Sequence, residues 1–154
     1  MNPHPTYSHD EWREAIHSSA SELARIALSF PGATHATHTA PEVQAGAHIA
    51  LVGKPSYELA LMASPAGCAA LSTAVLGMDI TGLPHRVIAD AMGELLNMLG
   101  GGVKRRLPGG GELELGLPLF VNGGIEPSGR QTVITVPLKL GPVDVWVIVV
   151  GPNG

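Results

Sequence analysis

The chain has 154 residues, 45% apolar and only 14% charged, a balance that suits a packed core and excludes a disordered chain. A formal net charge of −4 removes the broad basic field that nucleic-acid binding needs. The single cysteine, Cys68, excludes an internal disulfide and fits a reducing compartment. No apolar run approaches the roughly 18 residues of a membrane span, and a polar start with Pro3, Pro5 and Asp10 is unlike a signal peptide. A cytoplasmic protein with no membrane span is expected.

Ser8, with Glu11 three residues on, predicts a capping box that opens a helix over 9–29. Trp12, Ile16, Leu23, Ile26 and Ala27 recur there at mostly helical spacing, and Pro31-Gly32 ends the run. A polar loop leads to Gly46. Strand-like runs at 47–52 and 57–63 are joined through Gly53, Lys54, Pro55 and Ser56, which read as a hairpin turn. Ser64 caps a helix over 65–76 with Pro65 at its first position, and Gly77 begins a break that lasts to Pro84. A further helix covers 87–100 and meets Gly100, Gly101 and Gly102, each costing about 1 kcal/mol against alanine. It either frays there or continues through Lys104, Arg105 and Arg106. Strand-like segments follow at 112–121, 131–140 and 144–150, separated by turns at Asn122-Gly123 and Gly141-Pro142. In the second of them Ile134, Val136, Leu138 and Leu140 alternate with Val133, Thr135, Pro137 and Lys139, and Pro137 predicts an edge position or a bulge. The order α-β-β-α-α-β-β-β with hairpin-like joins predicts an α+β domain over 1–154, a mainly antiparallel sheet packed by helices.

The helix at 87–100 carries the chemistry. Asp90, Glu94 and Asn97 are spaced by four and three residues, so they fall within an arc of about 60°. Gly101 lies between Asp90 and Glu94 on the same wheel, with Gly93 at its edge. Val87, Ile88, Ala91, Met92, Leu95, Met98 and Leu99 form the opposite stripe, expected to face the core. Asp90 and Glu94 are like charges four apart, a pairing that costs about 0.2–0.5 kcal/mol, and Asn97 is a weak helix former. A face built against its own propensities is a candidate functional site. An ordinary solvated helix face carries the same residue types. Chemically, an asparagine amide offers a donor and an acceptor side by side without changing charge. It can hold a water for attack on a phosphoryl group, a reaction governed by positioning and electrostatics.

The run from Asp90 to Lys104 resembles the signature helix of the CheX/CheC chemotaxis phosphatases. That pattern is an acidic residue or serine, three residues, Glu, two residues, Asn, then a glycine and a lysine. The residues at 51–53 and 57–61 are similar to the family's first hairpin, and the small-residue helix ending at Leu76 sits where the family has one. Leu115, Gly116, Leu117, Pro118 and Leu119 resemble its strand leading into a proline. The likeness covers 46–150, with 1–45 a divergent N-terminal helix and loop, and Gly102 stands where the family commonly has asparagine. The resemblance implies a CheX/CheC-like fold. It further implies hydrolysis of the phosphoaspartate of a CheY-like response regulator, within chemotaxis or other two-component signalling. Asn97 would orient the attacking water and Glu94 would bind the partner's active-site lysine, with Asp90, Gly101 and Lys104 at the partner contact. The Mg2+ belongs to the response regulator, so neither cofactor nor metal is expected on this chain. A single motif copy is closer to CheX than to the two-site CheC and implies a homodimer. The alternative is a non-catalytic module that binds a response regulator through the same helix face.

Other features have simpler explanations. His35 and His38 have metal-ligand spacing but only Glu42 nearby as a third group, as a solvated loop would. Cys68, among Ala and Gly, reads as a small buried thiol. Lys104, Arg105 and Arg106 form a short basic cluster, either solvated or facing an acidic partner.

Overall fold

The computed structural model describes residues 6–77, 82–123 and 130–152. The predicted turn after Asn122 and the break before the motif helix lie partly outside them. At the N-terminus the capping box forms. Ser8 Oγ accepts from the Glu11 N–H at 3.1 Å, and the Glu11 carboxylate accepts from the Ser8 N–H at 2.8 Å. Helix α1 (His9–Ala27) starts there and buries Trp12, Ile16, Ala20 and Leu23. A three-residue strand, β1 (Ala33–His35), follows inside the polar loop, where no periodicity marks it. Next come β2 (Ala45–Val52) and β3 (Tyr57–Ala63), with Ser56 Oγ closing the hairpin onto both Gly53 N–H and C=O. Helix α2 (Pro65–Leu76) is capped by Ser64 Oγ on the Gly67 N–H and ends at Gly77, whose φ of 66° is the left-handed conformation glycine adopts freely. Helix α3 (His85–Arg106) carries the motif. The segment read as one strand at 112–121 divides into β4 (Glu114–Leu115) and β5 (Leu119–Asn122) around Pro118. The chain closes with β6 (Arg130–Leu140) and β7 (Val143–Pro152).

These strands form one antiparallel sheet in the order β1-β6-β7-β3-β2-β4, with β5 also paired to β2. Alternation decides its faces. Ala47, Ile49 and Leu51 of β2 join Leu59 and Leu61 of β3, Val136 and Leu138 of β6, and Val145, Val147 and Val149 of β7 in one core with all three helices. The other face holds a small cluster of Ala60, Met62 and Trp146, with the His38 ring edge-on to Trp146. Pro137 sits where its missing N–H costs nothing. Its carbonyl accepts from Ala36 N–H on the β1 side, so its nitrogen also points away from β7. A register shift lies between Thr132 and Ile134.

Helix α3 does not fray at its glycines but runs unbroken to Arg106. Packing explains this, because two of those glycines sit where neighbours come closest. A Cβ on Gly100 would lie 3.1 Å from Leu115 Cδ2. A Cβ on Gly102 would lie 2.8 Å from Ser19 Oγ and 2.9 Å from Ser19 Cβ, which makes Gly102 the crossing point of α1 and α3. Gly102→Ala should therefore destabilise despite better helix propensity. Overpacking costs about 1–3 kcal/mol and the propensity gain returns about 1. The net loss of about 1 kcal/mol should lower Tm by about 2–4 °C. Adding Ser19→Gly should recover most of the overpacking cost. A more stable Gly102→Ala single variant in thermal melts would show that the crossing is looser than drawn.

Candidate active site

The face of α3 opposite the core forms the floor of an open groove of about 500 Å³, lined by Ala89, Asp90, Gly93, Glu94, Asn97, Gly116, Leu117 and Pro118. The wall is the short link between β4 and β5. It is held in place at several points. Gly116 N–H donates to the Ala50 carbonyl at 2.9 Å, and Pro118 Cγ lies 3.4 Å from the position a Gly93 Cβ would take. Leu119 then enters β5 opposite His48 of β2. At the start of α3, His85 Nε2 is 3.2 Å from Asn122 Nδ2, and the His85 ring packs edge-on to Phe120 at 5.3 Å. Helix and wall are thus tied together at both ends of the groove.

Asp90, Glu94 and Asn97 are all exposed, on one face as their spacing requires. Among the described residues no hydrogen bond or ion pair engages their side chains. The stripe therefore presents two carboxylates and a carboxamide with free hydrogen-bonding capacity, on a long helix clamped to the sheet. Gly101 lies on the same face, one turn beyond Asn97, and is half-buried. Lys104 follows, half-buried and without an ion pair among the described residues. The two arginines after it turn elsewhere. Arg106 pairs closely with Glu22 of α1 and Arg105 approaches the same carboxylate at 3.6 Å. The hydrogen bond from Arg106 holds the Glu22 carboxyl below its ordinary pKa. The two arginines thus tie α3 to α1, and Lys104 is the member of the basic run that shares the helix face of Asp90, Glu94 and Asn97.

One core assignment needs correction. Met98, placed with the core stripe, is 41% exposed, whereas Leu96 is fully buried. The buried arc is rotated by about 40° from the expected one, because the β4–β5 wall covers the Gly93 flank of the helix and nothing comparable covers the Met98 flank. The wall itself had no signature as part of a site. The resemblance at Leu115 to Leu119 marked the residues, but not that they stand beside Glu94 and Asn97.

The set-aside residues have structural partners. His35 stacks on His17 with ring centroids 4.3 Å apart, whereas His38 Nε2 lies 2.9 Å from the Val145 carbonyl, on the other side of the sheet edge. His48, in the apolar strand β2 and not singled out from the sequence, pairs closely with Glu58. Among the described residues no group of three or more His, Cys, Asp or Glu is placed to hold a metal ion, and no helix is long and apolar enough to cross a membrane. Cys68 is buried, its Sγ 3.5 Å from the Ala45 carbonyl, and burial pushes its thiol pKa up to about 11. At pH 8 only about one thiol in 10³ is then ionised, against about one in four for a free cysteine. Alkylation of Cys68 in the native protein should be slower than that of free cysteine by about 10²-fold or more, and should accelerate as pH rises toward 11. Rapid labelling at pH 8 would show that the thiol is accessible.

The family model described as Chemotaxis phosphatase CheX matches residues 45–139, more than half of the chain. No curated protein matches it. Solved structures share the fold. The chemotaxis protein CheX from Vibrio vulnificus is 18% identical with a TM-score of 0.74, over 94% of this chain and 98% of that one. A chemotaxis protein CheX from Desulfovibrio desulfuricans is 16% identical with a TM-score of 0.72, over 92% and 99%. A third, from the CheX–CheY–BeF3–Mg2+ complex of Borrelia burgdorferi, is 14% identical with a TM-score of 0.68, over 91% and 96%. The family model spans more than half of the chain and the fold is shared with solved CheX structures, and the chain belongs to the CheX family of chemotaxis phosphatases.

Proposed function

We propose that this chain hydrolyses the phosphoaspartate of a CheY-like receiver domain, using Glu94 and Asn97 on the groove face of α3. One observation carries the reading: in a chain of the chemotaxis phosphatase family, the acid and the amide stand exposed, with no partner among the described residues, on a long helix beside an open groove. The complex of a fold relative with CheY, BeF3 and Mg2+ supports the choice of partner.

The chemistry follows from what the side chains can do. A phosphoaspartate is an acyl phosphate, so hydrolysis needs a water held in line with the phosphorus more than it needs a strong base. The Asn97 carboxamide accepts a hydrogen bond from that water through its oxygen and donates one from its NH2 to a neighbouring oxygen. It is neutral throughout, so it adds no repulsion against the phosphoryl group. Glu94 lies three residues earlier, about 4.5 Å along the axis, and its carboxylate binds the ammonium of the receiver's active-site lysine. That contact fixes the depth to which Asn97 enters. Asp90 lies one turn further back and supports the approach. Gly101 and Gly93 keep the face low enough for a second protein to come close, and Lys104 meets its acidic side. The divalent cation is the receiver's own in this reading.

The test is the decay of phosphorylated CheY-like receivers with and without this protein. Faster loss of phosphate, proportional to catalytic amounts of the chain, is the expected result. Binding to the receivers with no change in decay would overturn catalysis and leave a binding module.

A further inference from the structure

Leu117 is 86% exposed, more than any other large apolar side chain among the described residues, and Leu119 is 60% exposed. A single exposed leucine is ordinary on a protein surface. This one is unusual in being held rigidly at the lip of the candidate active site. The residues on either side of it are pinned, Gly116 by its hydrogen bond to Ala50 and Pro118 by its seat over Gly93. Leu117 itself lines the groove with Glu94 and Asn97. A second apolar group stands on the other flank. Met98 is 41% exposed and shares a shallow depression with Ile26 of α1, itself 68% exposed. On the helix wheel Gly93, and with it Pro118, falls about 60° to one side of Asp90, and Met98 about 80° to the other. The polar stripe is bracketed by apolar side chains.

We infer that Leu117 is a specificity-determining contact for the receiver domain, seated in an apolar depression of the receiver's surface beside the phosphorylated aspartate, with Met98 and Ile26 as the second shoulder. This rests on the reading under Proposed function and deepens it. The groups that act on the reacting atoms cannot distinguish receivers, because a phosphoaspartate and its lysine look alike in all of them. Discrimination falls to what flanks them. The receiver is the occupant rather than a second copy of this chain, because anything covering Leu117 lies over the groove and closes it to a receiver. A leucine whose backbone is already held on both sides loses little backbone freedom on binding. Apolar contact around a polar centre also excludes bulk water, leaving the water that Asn97 holds.

The experiment compares the wild type with Leu117→Ser and Leu117→Met against a panel of CheY-like receivers. It measures KM and kcat for phosphate loss, and Kd for receivers loaded with Mg2+ and beryllofluoride. Leu117→Ser should raise KM and Kd about tenfold or more on the preferred receiver with kcat within about twofold, and should flatten the ranking of the panel. Leu117→Met should restore most of the affinity. The side chain is exposed, so Tm should not move. Unchanged KM and Kd in Leu117→Ser would overturn the inference, as would a changed oligomeric state in sedimentation with KM unaffected, which would assign the leucine to a second copy. If the wild type binds loaded receivers without hastening phosphate loss, the proposed hydrolysis fails, while a weaker Kd for Leu117→Ser still supports the contact. If the wild type binds no receiver, both fall together.

Discussion

Asn97→Ala should reduce the rate of receiver dephosphorylation by about 10²-fold or more, about 2.7 kcal/mol of barrier, while leaving receiver binding nearly intact. The expectation follows from where Asn97 stands. Its side chain is exposed and engages no neighbour among the described residues, so truncation removes nothing the fold relies on. Alanine is the better helix former by a few tenths of a kcal/mol, so the variant should melt at the same temperature or slightly higher. A loss of turnover with unchanged or improved stability is what a positioning group in a reaction produces and what a structural group does not. Single-turnover decay of a phosphorylated receiver at saturating protein isolates the step. Asn97→Asp should fail as well, since it keeps the shape but sets a negative charge against the phosphoryl group. Equal turnover by wild type and Asn97→Ala would remove Asn97 from the mechanism.

Glu94→Ala should act chiefly on binding. An ion pair that becomes buried between proteins is worth about 2–5 kcal/mol when one partner is truncated, much of it the cost of stranding the other charge. Kd for a receiver loaded with beryllofluoride should weaken by about 30-fold or more. Turnover at saturation should fall less, because Asn97 can still reach the phosphoryl group once the complex forms. The salt dependence of binding should also become shallower. A double-mutant cycle with the receiver's lysine provides the decisive comparison, since a true pair shows strong non-additivity. Independent effects of the two mutations would mean that Glu94 does not touch the lysine. The contrast with Asn97 matters: one variant loses rate with binding kept, the other loses affinity first, and a shared structural defect would move both together.

Much of the fold was legible along the chain because its signals are local. Ser8 with Glu11, Ser64 with Pro65, and the turn from Gly53 to Ser56 each involve groups within four residues, and each forms as read. Alternation in 131–140 set Ile134, Val136, Leu138 and Leu140 on one face of the strand, and in the structure that face is buried. The strip Asp90, Glu94, Asn97 followed from helix geometry alone, since residues four and three apart must share a face. β1 went unseen because three residues carry too little pattern and exist as a strand only by pairing with 138–140.

What the tertiary structure decided lies in contacts between distant segments. Helix α3 survives its glycines because Ser19, more than 80 residues earlier, packs against Gly102. Arg105 and Arg106, read as part of a basic cluster, are drawn to Glu22 of α1. Met98 is exposed and Leu96 buried because a loop from beyond the helix covers one flank and not the other. The same loop carries Leu117 to the lip of the groove. A helix wheel states which side chains share a face but not which neighbours cover it. The motif was therefore in the sequence, whereas the groove that makes it a site arose only when the chain folded back upon it.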